Sequence, residues 1–161
     1  MRPATPLLDP LPPDLEFEPL PPTEAAFLFS FAVKKDALGE HVAARWGWDD
    51  DFQRGVHRQR FEARPFLAIL RNGEAVGTLS FVVEDDHIRL GEFYLLGQHR
   101  NTGLGTRILV HALDQADAIG RPVRLEYLKW NPVGSLYRRH GFVDTHMTET
   151  HFHLERPVPM T

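Results

Sequence analysis

The sequence predicts a mixed α/β fold, one sheet flanked by helices, and three observations predict it. Short stretches at 15–20, 65–96, 123–130 and 142–156 carry the alternating or unbroken apolar runs of strands. Between 103 and 119 the apolar positions Leu104, Ile108, Leu109, Ala112, Leu113 and Ala116 recur instead at helical spacing. The resulting order is strand, helices, three-strand meander, helix, strand, helix and one or two last strands, as in a layered α/β domain. At 161 residues the chain is most simply one domain, long enough to bury a sizeable core.

Each element has a local reason. Residues 1–14 carry five prolines and no period, so they read as an extended arm ahead of a single domain over 15–161. "LEFEPL" (15–20) alternates apolar and acidic residues and ends at Pro21-Pro22, a short first strand. Thr23 opens a helix with Ala25, Phe27, Leu28, Phe31 and Ala32 on its apolar face, and a second helical segment is expected from about Asp36 to Trp46. Residues 47–61 begin with acidic side chains, which suit a helix N-terminus. Asn72-Gly73 between apolar runs is a strong hairpin signal, and Asp85-Asp86 makes the next turn, with the charged run 84–86 a solvated one. The helix over 103–119 stops at Gly120, ahead of Pro122. A strand at 123–130, a short helix at 132–141 and the last strands follow.

Composition narrows the function. No cysteine is present, so the chain offers no thiolate metal ligand and no catalytic thiol. A net charge of −4 and the lack of a dense Lys/Arg run argue against a general nucleic-acid binder. No apolar run approaches bilayer length, and no basic-then-apolar leader opens the chain. A cytoplasmic location with no membrane association is therefore expected.

Gly103 and Gly105, at the mouth of a good helix, raise the functional question. Glycine there costs roughly 1 kcal/mol relative to alanine. A helix N-terminus exposes unpaired amides and partial positive charge, and bare glycines let an anion sit on them. Arg100 and Arg107 lie near enough in sequence to add charge, so a phosphate or diphosphate is the expected ligand. Gly105-Thr106-Arg107 is not the Gly-Lys-Ser/Thr of a nucleotide P-loop, and Ile108 stands where a dinucleotide fingerprint needs its third glycine. Close helix–sheet packing is the competing explanation for both glycines.

A second segment, "NPVGSLYRRHGF" (131–142), follows the next strand. With "RNTGLG" it resembles the GNAT (Gcn5-related N-acetyltransferase) superfamily over about residues 65–156. Arg100, Gly103 and Gly105 match that family's Q/R-x-x-G-x-G/A loop, while Asn131, Leu136, Tyr137, Gly141 and Phe142 match its N-x-x-A-x-x-L-Y-x-x-x-G-F segment. Position 134 is glycine where the family usually has alanine, and position 97 is glycine where many members have proline.

The resemblance implies a mostly antiparallel sheet whose strands 92–96 and 123–130 splay apart, and a transferase that moves an acetyl group from acetyl-CoA to a primary amine. The amine attacks the thioester directly, without a covalent enzyme intermediate. The diphosphate is expected on Arg100, Asn101, Thr102, Gly103, Leu104, Gly105 and Thr106, the pantetheine near Phe93 and Leu95, and Asn131 on the cofactor's far side. Tyr137 is the implied general acid for the leaving sulfur, with packing of its short helix as the alternative. Glu92 is the implied base, with a sheet-surface or Arg-paired carboxylate as the alternative; Asp49, Asp50 and His151 are weaker candidates. Trp46, Trp48, Phe52 and His151 are the expected acceptor-binding residues, with plain core packing as the alternative for the aromatics. His151 and His153 point the same way on a strand but have no third ligand at suggestive spacing, so no metal is expected. The acceptor is unnamed by the sequence, and a homodimer through the arm or the last strands is one assembly the resemblance allows. A non-catalytic acyl-CoA sensor is the alternative function.

Overall fold

A computed structural model describes residues 13–160; most of the Pro-rich arm, residues 1–12, lies outside them. Seven strands, β1 (Leu15–Pro19), β2 (Leu67–Arg71), β3 (Glu74–Val83), β4 (Ile88–Leu95), β5 (Val123–Leu128), β6 (Val143–Met147) and β7 (His151–Arg156), form one sheet in the order β1-β2-β3-β4-β5-β7-β6. Every neighbouring pair is antiparallel except β4 and β5. The β2–β3 hairpin turns at Asn72 (φ 51°) and Gly73 (φ 82°), both left-handed, as a tight Asn-Gly turn requires.

Helix α3 (Leu104–Ile119) buries Leu104, Ile108, Leu109, Ala112, Leu113 and Ala116, the face its periodicity names. They meet Ile69, Leu79, Phe81, Ile88, Leu90 and Leu125 of the sheet in the main core. The short helix α4 (Gly134–Arg139) adds Tyr137 to the same core. Its Gly134 is explained by two neighbours: a Cβ there would overlap the Tyr127 hydroxyl and the Arg138 guanidinium.

Two expectations about the first helices need correction. Residues 24–46 form one helix, α1 (Glu24–Trp46), not two segments: Gly39 does not interrupt it, because the inward face continues through Leu38 and Val42. That face is also rotated from the predicted one. Ala26, Phe27, Ser30, Phe31, Val33 and Lys34 are buried, while Ala25, Leu28 and Ala32 are exposed. Hydrophobicity alone misplaces the face because two of its inward members, Ser30 and Lys34, are polar.

Helix α2 (Asp50–Ala63) starts on Asp49, whose side chain accepts from the Phe52 amide at 3.1 Å. It is fastened to α1 by a buried polar contact. Ser30 donates to the Phe27 carbonyl (2.9 Å), so the 2.7 Å contact between Ser30 Oγ and His57 Nε2 carries its proton on the ring. Phe27, Phe31, Phe61 and Phe66 surround that imidazole. Burial, helped by the charge of Lys34, lowers the His57 pKa to about 4, so it is neutral at pH 7.

Candidate active site

The parallel β4–β5 pairing contains only Ile88–Val123 and Arg89–Arg124. Beyond Arg89 and Arg124 the strands diverge, and the facing edges from Leu90 to Leu95 and from Leu125 to Leu128 have no ladder partner across the gap. A bulge re-aims β4 at that point. Glu92 and Phe93 together oppose Leu79, and Glu92 is held at φ 48°, left-handed backbone that a residue with a Cβ rarely adopts. The buried Thr78 hydroxyl donates to the Glu92 carbonyl at 2.8 Å and secures the bulge. Gly77 makes room for it, since a Cβ there would overlap the Tyr94 carbonyl.

After β4 the chain makes one 3-10 turn at Gly97–His99 and enters α3 through Gly103, at φ 85° and ψ −7°. No side chain caps this N-terminus, and the amides of Asn101 to Thr106 find no acceptor among the described residues. A row of main-chain donors at a dipole's positive end is therefore free. Packing does not account for the second glycine, because a Cβ on Gly105 would make only an ordinary 3.6 Å contact with Leu95. The two arginines are used differently from the expectation that they add charge to the loop. Arg100 donates to the Leu95 carbonyl (2.8 Å) and to Asp36 (3.1 Å), which also accepts from the Gly97 amide (2.9 Å). Arg107 pairs with Asp14 at 2.6 Å. Thr102 donates its hydroxyl to the His99 carbonyl (2.8 Å), so these three side chains shape the loop.

At the far side of the gap Asn131 accepts from the Val133 amide at 3.2 Å, holding the turn before α4. The buried Tyr137 ring packs on Tyr127 and Phe142 (centroids 6.1 and 5.6 Å), and its hydroxyl makes no hydrogen bond to a described residue. Burial raises its pKa well above that of free phenol, which keeps the proton on oxygen at neutral pH.

On the α1–α2 side, a cavity of about 1020 Å³ runs between those helices and β4, β5 and β7. Trp46, Trp48, Phe52, His151 and Glu92 all line it; Tyr137, Asn131 and the loop 97–106 do not. Phe52 is 64% exposed, and Trp46 packs edge-on to Trp130 at 4.3 Å. Of the weaker bases, Asp49 caps α2, Asp50 is paired with Lys35 and Arg54, and burial lowers the pKa of His151. Glu92 has a side chain only 2% exposed, with Oε1 3.3 Å from Arg64 and 3.5 Å from Arg60 and with Oε2 making no hydrogen bond to a described residue.

Sequence reasoning missed Tyr94, Lys34, Arg60, Arg64 and Arg89 on the same wall. Burial raises the Tyr94 pKa well above its ordinary value, with the Glu92 charge adding to it. Burial lowers Lys34 to about 8, against the opposing pull of Glu92. No sequence signal marked these residues: the bulge at Glu92–Phe93 breaks the period-2 alternation that would reach Tyr94, and single Lys and Arg residues on a helix or strand are ordinarily solvated. Among the described residues no group of three His, Cys, Asp or Glu side chains is placed to hold a metal, and no helix is long and apolar enough to cross a membrane.

A sheet opened between two parallel strands, with a bare helix N-terminus at its mouth, is a cleft suited to an extended ligand that ends in a phosphate group. A model of the Acetyltransferase (GNAT) family matches residues 36–142, two thirds of the chain, and the protein belongs to that family. It is therefore an acyl-CoA-dependent acetyltransferase, with acetyl-CoA as donor. No curated protein sequence matches it significantly. Solved structures share its fold. PaiA N-acetyltransferase from Thermoplasma acidophilum, solved in complex with coenzyme A, superposes with a TM-score of 0.68 at 17% identity, over 89% of this chain and 99% of its own. The ribosomal-protein-S18-alanine N-acetyltransferase from Escherichia coli gives 0.62 at 16% identity, over 91% and 96%. An acetyltransferase from Thermus thermophilus gives 0.66 at 19% identity, over 89% and 97%.

Proposed function

We propose that the protein acetylates a primary amine of an acceptor held in the cavity between α1–α2 and β4–β5–β7. The observation that carries this reading is that the cavity and the free amides of Asn101 to Thr106 flank one opening, the divergence of β4 from β5. The residues fit the coenzyme: the amides from Arg100 to Thr106 would hold its diphosphate, the unpaired edge near Phe93 and Leu95 its pantetheine arm, and Asn131 its far side. Bound there, acetyl-CoA supplies an activated acyl carbon as a thioester.

The chain's own groups then have two proton tasks. The attacking nitrogen must shed a proton, and Glu92, buried on the acceptor wall with Oε2 making no hydrogen bond to a described residue, takes it directly or through one water. The departing sulfur needs a proton because a thiolate is a poor leaving form near neutral pH, with a thiol pKa of about 8.5. Tyr137 holds that proton on a buried phenol and donates it. Trp46, Trp48, Phe52 and His151 exclude water and orient the acceptor.

The test is acetyl-CoA-dependent thiol release across amines, polyamines, amino acids, aminoglycosides and peptides, alongside CoA calorimetry. Turnover of at least one amine is expected. Tight CoA binding with no turnover on the whole panel would instead make the protein an acyl-CoA sensor.

A further inference from the structure

The acceptor wall concentrates positive charge in a chain of net charge −4. Lys34, Arg60, Arg64 and Arg89 stand around Glu92. Arg60 and Arg64 reach the same Oε1, Lys34 feels Glu92 and both arginines, and Arg89 acts on Arg64. Lys34 is only 5% exposed, lines the cavity, and has no hydrogen bond or ion pair to a described residue. Arg89 likewise has no ion-pair partner among them. Of the other carboxylates that line the cavity, Glu126 acts on Arg64 and stands 3.4 Å from His153 Nε2, and Asp49 caps α2 through the Phe52 amide. Lys34, Arg60, Arg64 and Arg89 against Glu92, Glu126 and Asp49 leave an excess of one positive charge on the described lining. Arg124 is not part of this excess, because Glu155 pairs with it at 2.8 Å.

Burying an ammonium without a partner is costly, so the wall is incomplete without an anion. The coenzyme's diphosphate does not fill that role on the reading above, because none of residues 97–106 lines this cavity. The same helices and the turn between them also bring aromatic side chains, Trp46, Trp48 and Phe52, to the cavity lining.

We propose that the acceptor is a small amine that also carries an anionic group, seated on Arg60, Arg64, Arg89 and Lys34 with its amine toward Glu92. An amino acid, with one carboxylate beside the amine and a side chain for the aromatic lining, has this form. The proposal rests on the acetyltransferase reading and reverses what net charge alone favours, a polycationic amine.

The experiment uses the full chain, with and without saturating CoA. Binding of L-amino acids and of their carboxamides is followed by calorimetry and tryptophan fluorescence, with O-phosphoethanolamine and spermidine as further probes. The free acid should bind at least about tenfold more tightly than its carboxamide, since a site built for a polar group rejects the analogue lacking it. Arg89→Gln and Lys34→Met should each shrink that ratio while circular dichroism and melting stay close to the parent. Binding of O-phosphoethanolamine in place of any amino acid upholds the anion and identifies it as phosphate. Equal binding of acid and carboxamide in every pair, or preference for spermidine, overturns the proposal. Failure of CoA binding with the acid preference intact would instead strike the acetyltransferase reading.

Discussion

The two sides of the β4–β5 opening are built on different principles. On the side proposed for the donor the free groups are main-chain amides, and the nearby side chains are tied elsewhere: Arg100 and Arg107 to Asp36 and Asp14, and Thr102 to His99. On the side proposed for the acceptor the cavity is lined by side chains delivered by α1, α2, β4, β5 and β7. A main-chain site restricts which residues fit locally, whereas a side-chain site depends on the whole fold to assemble it.

In the proposed mechanism Tyr137 is the one side chain at work on the donor side, and removing its hydroxyl probes the contrast most strongly. Tyr137→Phe should lower turnover by about 10²–10⁴ and leave CoA affinity unchanged, read by steady-state kinetics and calorimetry. Unchanged turnover at saturating substrates would remove Tyr137 from the chemistry.

The acceptor wall should also be the acid-sensitive side, because the Ser30–His57 contact joins α1 to α2. His57 is lowered from 6.5 to about 4 in the folded protein. Below pH 6.5 the unfolded chain therefore takes up a proton that the folded one refuses. Stability should fall as pH drops from about 6.5 to about 4 and level off beneath, by about 1.4 kcal/mol per unit of separation. Urea unfolding at several pH values tests this, and His57→Gln should flatten that part of the slope.

Gly134→Ala tests whether Tyr127 helps to explain the glycine of α4. Overpacking should cost about 1–3 kcal/mol, and adding Tyr127→Phe should recover part of it in thermal melts. The smallest effect belongs to Arg107→Gln. Because its guanidinium faces Asp14, CoA affinity should change by no more than about threefold; a large loss would put side-chain charge into the donor site.

The same contrast decides what the sequence makes legible. Gly103 must adopt φ 85°, and α3 must bury one stripe, so loop and helix are written in consecutive residues. The Asn72-Gly73 turn is equally local. Trp46, Trp48, Phe52, Glu92 and His151 were legible through resemblance and do share one cavity. Lys34, Arg60, Arg64 and Arg89 were not, because they converge from a helix face, another helix and a strand. The continuous α1 was hidden for a related reason: Ser30 and Lys34 turn inward on polar contacts and charge that only the folded neighbours provide.

The most direct measurement is calorimetric titration of CoA into the parent and into Gly103→Glu, which adds a Cβ at left-handed backbone and a negative charge beside the free amides. The account predicts a clear exothermic isotherm for the parent and a loss of about 10²-fold or more in the variant, whose fold is checked by circular dichroism. Equal CoA affinity in the two proteins would contradict it.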